Sequence, residues 1–297
     1  MEPISTIICT RNRADSLTNT LASVLAEGPA EVVIIDQSDD GATEGLVKSI
    51  GDDRLKYVFS SVAGLSKAYN TGIQNATSEL LAFTDDDCVV PQGWLSQVRR
   101  AFEAHPEASM IYGQVLAGEM ELEPGAYIPE FRVAHEWKLL PKGPVTVAGM
   151  GANFCARRQA LIDVGGFDEA LGGGGKFSTS QDFDLEYRMW RTGHSVVFTP
   201  DVVVLHYGVR NQTEWPKTAR AYGMGDGAFY LKHARCRDGV AARLLVTKLA
   251  KEATTPFYRF VRRKPYSGEY ASGFIRGMAK SFRHPVDRRT RRYASNV

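Results

Sequence analysis

No apolar run in this 297-residue chain approaches the ~20 residues needed to span a bilayer, so no membrane-crossing helix is expected. Cysteine is scarce: Cys9, Cys88, Cys155 and Cys236 are scattered, with no CxxC or zinc-ligand spacing. That excludes a disulfide framework and predicts reduced thiols packed as small hydrophobes, as in the cytoplasm. The opening residues, MEPISTIICTRNR, lack the basic segment, apolar core and small-residue cleavage site of a secretory signal, and read as a first strand. Internal repeats and low-complexity segments are absent too.

What is present fits a soluble globular protein, 43% hydrophobic and 24% charged, long enough for one large domain or a domain with an appendage. The net charge of +2 hides an asymmetry. Residues 232–297 carry 17 Lys and Arg against 4 Asp and Glu, whereas residues 1–231 carry 19 against 30. An acidic body with a basic tail predicts that the tail faces an anionic partner.

Hydrophobic periodicity alternates along the first hundred residues. Strands are expected at 4–9, 32–35, 55–59 and 80–84, the second a continuous apolar run suited to burial on both faces. Helices are expected at 14–26, up to Ile50, and at 66–76, with Leu17, Leu21, Val24 and Leu25 sharing one face of the first. This alternation predicts an α/β fold with a mostly parallel sheet flanked by helices. A further helix at 91–105 and strands at 110–115, 196–198 and 202–205 follow, and the chain after Trp215 reads as helical. Residues 117–147, interrupted by Pro124, Pro129, Pro141 and Pro144, read as a lid or substrate loop. Gly172 to Gly175 read as a flexible hinge.

Ligands of such sheets bind beyond the carboxyl ends of the strands. Thr10-Arg11-Asn12 follow the first strand, Asp36 ends the second, and Asp85-Asp86-Asp87 follow the fourth. Three adjacent carboxylates repel one another, and a Mg²⁺ or Mn²⁺ ion bridging to a diphosphate gives them a purpose. The same run also reads as a solvated turn or a helix cap. Asp182, at an expected helix start after the glycine run, reads either as a general base or as a cap. His206, after an apolar strand, reads as a metal ligand or as an ordinary strand-end residue. Thr10, Asp36 and Lys67 are further nucleotide-contact candidates, each weak alone.

In chain order these segments resemble the family 2 glycosyltransferases of GT-A fold. The matching pieces are Cys9-Thr10-Arg11-Asn12-Arg13, Ile35-Asp36, Gly64-Leu65-Ser66-Lys67-Ala68-Tyr69-Asn70, Asp85-Asp86-Asp87, Gly151-Ala152-Asn153-Phe154, Gly165-Gly166-Phe167-Asp168, Gln181-Asp182 and His206. The resemblance covers about residues 4–208. It implies an inverting transferase whose nucleotide-sugar site draws on Thr10, Arg11, Asn12, Asp36, Ser66, Lys67, Asp85, Asp86 and Asn153. Asp36 reads the base, Asp85 lies near the ribose and Asp86 is a spacer between the two working carboxylates. Asp87 and His206 hold the divalent cation, Mn²⁺ or Mg²⁺, and Asp182 is the catalytic base.

The sequence departs from the family pattern where Gln181 replaces Glu, Tyr69 replaces Arg and Gln37 follows Asp36. The nearest string to the processive Gln-x-x-Arg-Trp motif is Gln212-Thr213-Glu214-Trp215, without the Arg, so transfer of a single sugar is expected. The implied donor is a UDP-sugar, with dTDP- and GDP-sugars as alternatives, and the implied acceptor a glycan or lipid-linked glycan. The expected organisation is a GT-A catalytic domain over residues 1–212 and a helical, basic C-terminal appendage over residues 213–297. Through residues 232–297, with the cluster Phe257 to Lys264, that appendage is expected to touch an anionic membrane from the cytoplasmic side, or else to be a solvated or oligomer-forming helix. Nucleic acid is not an expected partner. A silent sugar-nucleotide-binding protein remains an alternative. So does a nucleotidyltransferase, though Thr10-Arg11-Asn12-Arg13 has none of the glycines of its triphosphate loop.

Overall fold

Val32, Val33, Ile34 and Ile35 are all fully buried, because the sheet that contains them is covered on both faces. The computed structural model describes residues 2–141, 143, 145, 148–263 and 267–294. Its first half is β1 (Ile4–Thr10), α1 (Ala14–Ala26), β2 (Glu31–Asp36), α2 (Ala42–Ile50), β3 (Leu55–Phe59), α3 (Leu65–Asn75), β4 (Leu80–Asp85), β5 (Cys88–Val89), α4 (Trp94–Ala104) and β6 (Ala108–Ala117). Next come β7 (Ala126–Tyr127), β8 (Trp137–Leu139), β9 (Asn153–Arg157), α5 (Arg158–Asp163), α6 (Gln181–Arg191), β10 (Ser195–His206) and β11 (Arg210–Asn211). The chain ends with α7 (Trp215–Arg235), α8 (Gly239–Val261), α9 (Glu269–Phe282), β12 (Val286–Asp287) and β13 (Arg292–Tyr293).

The main sheet runs β3-β2-β1-β4-β9-β6-β10-β5, with β8 added beside β10. The pairs β3–β2, β2–β1, β1–β4 and β6–β10 are parallel, while β9 is antiparallel to both neighbours. Strand alternation divides the core. Ile7, Val33, Ile35 and Phe83 meet α3, α6 and α7 on one face; Ile8, Val32, Ile34 and Ala82 meet α1 and α4 on the other. The two strands expected at 196–198 and 202–205 are one, β10, whose pairing to β6 shifts between Phe198 and Val203 where Pro200 interrupts the ladder.

Three expectations are corrected. Residues 117–147 are not a free lid: Val115 and Phe131 exchange backbone hydrogen bonds, β8 joins the sheet, and Trp137 stacks on Phe198 at 3.6 Å. Pro144 and Val147 of that stretch lie outside the described residues. The glycine run is no loose hinge, because Gly173 accepts from the Leu65 amide and Gly174 abuts Gly64.

Nor are residues 213–297 an appendage. In α7 Gly223 and Gly227, and in α9 Gly273 and Gly277, face the other helix so closely that any Cβ would strike a carbonyl oxygen opposite. Phe229 of α7 and Ala241 of α8 belong to the main core, and Lys232 is fully buried against Asp168 and Asp184. The boundary at residue 212 therefore crosses a shared core. Among the described residues no helix is long and apolar enough to cross a membrane.

Candidate active site

Parallel register sets Cys9 beside Asp85 and Thr10 beside Asp36, so the polar ends of β1, β2 and β4 share one sheet edge. Past Asp85 the chain turns, and the antiparallel pair His206–Cys88 returns β10 to the same edge. His206 Nε2 thereby lies 3.3 Å from Asp87 Oδ1. Asp87, Cys88 and His206 place one donor atom each within 4.8 Å of the others. Burial and the carboxylates of Asp85 and Asp87 hold the Cys88 thiol protonated, which makes it a poor ligand for a hard cation.

Two features fit a cation at Asp87 and His206. Asp87 Oδ1 is buried without a completed hydrogen bond among the described residues. Beside it, Gly208 leaves a gap: a Cβ there would come within 2.5 Å of Asp87 Oδ2 and 2.8 Å of His206 Nε2. Burial works to raise the Asp87 pKa, yet His206 and Arg13 outweigh it and keep the carboxylate ionised.

The other two acidic residues differ. Asp85 is pushed up to about 7 by burial, then by the charges of Asp87 and Asp86. Asp86 is no spacer. It accepts from Thr10 Oγ1 at 2.7 Å and from Arg13 Nη1 at 2.9 Å, and Arg13 also reaches Asp87 at 3.0 Å. Arg13 is thus the counter-charge of the run; the sequence held no signal for it beyond its place in the first motif.

Asp182 is the second residue of α6, which starts directly after Ser180, whose φ of 69° is left-handed. Its carboxylate lies against Gly151, where a Cβ would sit 2.9 Å from Oδ1. Burial lifts its pKa to about 6, against hydrogen bonding from the Gly151 backbone and the Gln181 side chain. Oδ1 has no completed partner among the described residues. Asp182 is also close enough to raise the pKa of Asp85, so the carboxylates from α6 and β4 share one field.

A cleft of about 390 Å³ runs along this edge, lined by Thr10, Arg11, Arg13, Gln37, Asp85, Asp86 and the glycines of the 64 and 173–174 turns. Asn12, at φ 56°, bonds to Ser38 and Asp39 at its rim, and Arg11 pairs with Asp39. Lys67 is half-buried, its side chain folded back over Gly64. A larger cavity of about 880 Å³, between Trp190 and Leu244, holds none of these residues.

Three expected donor contacts are committed elsewhere. The Asn153 amide is fully buried and donates to the carbonyls of Gln114 and Val202, so it ties strands together. Ser66 gives its hydroxyl to the Leu171 carbonyl. Asp36 is fully buried and accepts from Tyr57 and the Ser38 amide, while Gln37 faces the cleft in its place. Tyr69, standing where the family has Arg, is buried among Phe83, Phe154 and Phe167, its hydroxyl 3.4 Å from Asp85.

Comparison with known proteins identifies the fold and the family. A glucosyl-dolichyl phosphate glucuronosyltransferase of Haloferax volcanii is 24% identical over 225 residues, 71% of this chain and 72% of its own length. The mannosyltransferase PcManGT of Pyrobaculum calidifontis, solved with GDP-Man and Mn²⁺, superposes with a TM-score of 0.60 at 16% identity, over 95% of this chain and 88% of that one. GalNAc-T7, solved with UDP, GalNAc and Mn²⁺, gives 0.55 at 19% identity over 79% of this chain and 51% of that one. These structural likenesses establish the GT-A fold. The model of glycosyl transferase family 2 matches residues 5–165, more than half the chain, and the protein belongs to that family.

Proposed function

We propose that this glycosyltransferase moves one sugar from a UDP-sugar to a hydroxyl of a glycan or lipid-linked glycan, with inversion at the anomeric carbon. Asp182 takes the proton of the acceptor hydroxyl as its oxygen attacks the anomeric carbon. The bond to the diphosphate breaks, and UDP leaves with the electron pair. Asp87 and His206 would hold Mn²⁺ or Mg²⁺, which supplies positive charge to the leaving diphosphate. Asp85 lies toward the ribose, and Arg11 and Thr10 belong to the donor cleft. The observation that carries this reading is the pairing of an ionised Asp87 beside His206 with an Asp182 whose pKa of about 6 suits a base near neutrality.

The relatives offer a range of donors: PcManGT was solved with GDP-Man, GalNAc-T7 with UDP. The dolichyl phosphate in the name of the Haloferax relative supports a lipid-linked acceptor. Four unpaired cysteines are consistent with a cytoplasmic location, where residues 232–297 would meet the inner membrane face. The test is release of nucleoside diphosphate from UDP-, dTDP- and GDP-sugars with Mn²⁺, Mg²⁺ or chelator, and the anomeric configuration of the product by NMR. Cation-independent release or a retained configuration overturns the mechanism.

A further inference from the structure

Helix α8 is 23 residues long, yet Ala241 is its only buried residue. Among its partly covered positions, Leu245, Lys248, Glu252 and Thr255 follow Ala241 along one side of the helix. On the opposite side Val246, Phe257, Phe260 and Val261 are 65%, 73%, 80% and 61% exposed, and Leu249, Ala250 and Ala253 lie between them. At about 100° per residue these seven fall within an arc of roughly 120°, a continuous apolar stripe that no described residue covers.

Charge surrounds the stripe with one sign. Between residues 239 and 268 the sequence has seven Lys and Arg and a single acid, Glu252, which pairs with Lys248. Arg243, Lys251, Arg262 and Arg263 are exposed around the stripe. The second half of α8 also contains Pro256 between Thr254–Thr255 and Phe257, residues that propagate a helix poorly in water without a surface to hold it. A soluble protein rarely leaves so long an apolar face open; a basic amphipathic helix with aromatic residues is the form that lies in a lipid interface.

We propose that the outer face of α8 is a docking surface for an anionic lipid bilayer: Phe257, Phe260, Val246 and Val261 enter the acyl boundary, and Arg243, Lys251, Arg262 and Arg263 meet the headgroups. This deepens the membrane contact proposed above, replacing a 66-residue basic tail with one helix face. It also explains why much of the tail's charge is not available to lipid. Lys232 is buried against Asp168, Arg291 pairs with Asp238, and Arg235 serves the carbonyls of Ser281 and His284. Lys264 lies outside the described residues.

The full chain is tested by flotation with phosphatidylcholine vesicles, with and without phosphatidylglycerol. It is expected to bind only the anionic vesicles, more weakly as salt rises. Phe257→Ser with Phe260→Ser should weaken binding at least ~10-fold. Arg243→Gln with Lys251→Gln should remove about half of the salt dependence. Donor hydrolysis in solution should be unchanged in both variants, which separates failure of this proposal from failure of the transferase mechanism. Absence of wild-type binding to anionic vesicles at low salt overturns the proposal. So does wild-type binding by the double Phe variant. So does light scattering that shows a dimer which the Phe substitutions dissociate, since the stripe would then be covered by a second copy of the chain.

Discussion

Ser180 donates its hydroxyl to Asp226 Oδ1 across 2.8 Å, tying the residue two places before Asp182 to the middle of α7. Asp226 also accepts from Tyr270 of α9, and Thr179 donates to the Ala221 carbonyl one turn earlier in α7. Ser180 is a non-glycine residue held at φ 69°, a conformation that persists only where its surroundings enforce it. The C-terminal helices therefore fix the entry to α6, and with it the direction of the Asp182 carboxylate.

Asp226→Ala is accordingly expected to lower kcat between about ten- and a hundredfold, with donor KM within about twofold, because a misdirected base affects the reacting geometry rather than donor binding. Asp226→Asn keeps an oxygen for Ser180 and should recover most of the rate. Tyr270→Phe leaves the Ser180 bond intact and should stay near wild type. Equal losses in Asp226→Asn and Asp226→Ala would show that the carboxylate's charge, not its position, matters.

The Asp182 carboxyl, lifted to about 6 by burial, sets a pH dependence whose sign is definite. A base must be ionised, so kcat should rise with pH through about 6 and level above it. Stability moves the other way. The folded pKa exceeds the unfolded value of ~3.9, so this group's contribution to stability falls as pH climbs from about 4 to about 6. Asp182→Asn should therefore abolish transfer yet raise Tm at pH 7.5, with no gain at pH 4. Turnover near wild type in Asp182→Asn removes it as the base.

The proposed cation site is open to a substitution that touches neither Asp87 nor His206. Gly208→Ala places a methyl in the gap beside Asp87 Oδ2 and His206 Nε2. By calorimetry, Mn²⁺-dependent UDP affinity should fall at least ~10-fold in Gly208→Ala and in Asp87→Ala. Cys88→Ala, whose thiol stays protonated, should bind Mn²⁺ and UDP as the wild type does. A loss in Cys88→Ala alone would make the thiol a ligand and change the preferred metal toward softer ions.

Periodicity revealed most of the sheet, since residues buried on both faces, such as Val32 to Ile35, have no polar alternative and their pattern is unmistakable. Asp85, Asp86 and Asp87 stood out as a candidate site because like charges in sequence need a compensating partner. That Arg13 is one such partner was not legible, because α1 brings it to Asp86 through the fold. Asn153 shows the converse. Its motif marked it as functional, but a buried amide that satisfies two carbonyls is equally fixed by structure, and type alone does not separate the two. The docking of α7 on α9 escaped because glycines four apart read as helix-weakening until their backbones are seen in contact.

The same omission misplaced the boundary at residue 212, and a buried charge shows how far. Lys232 sits between Asp168, which follows α5, and Asp184 of α6, with Arg188 and His233 adjoining Asp184. Burial would raise the Asp184 pKa, but Lys232 and Arg188 hold it well below the usual carboxylate range, while burial drives His233 down to about 4 and leaves it neutral. Lys232→Met strands two carboxylates in a dry interior, and removing one member of such a cluster costs about 3–5 kcal/mol. A shift of that size should appear as a lowered urea midpoint with an unchanged slope. A chain ending at residue 212 loses Lys232 together with Phe229 and Ala241 from the core, and should not accumulate as folded protein. Recovery of a cooperatively unfolding 1–212 fragment would restore the two-domain division and show that the buried cluster is dispensable to the sheet.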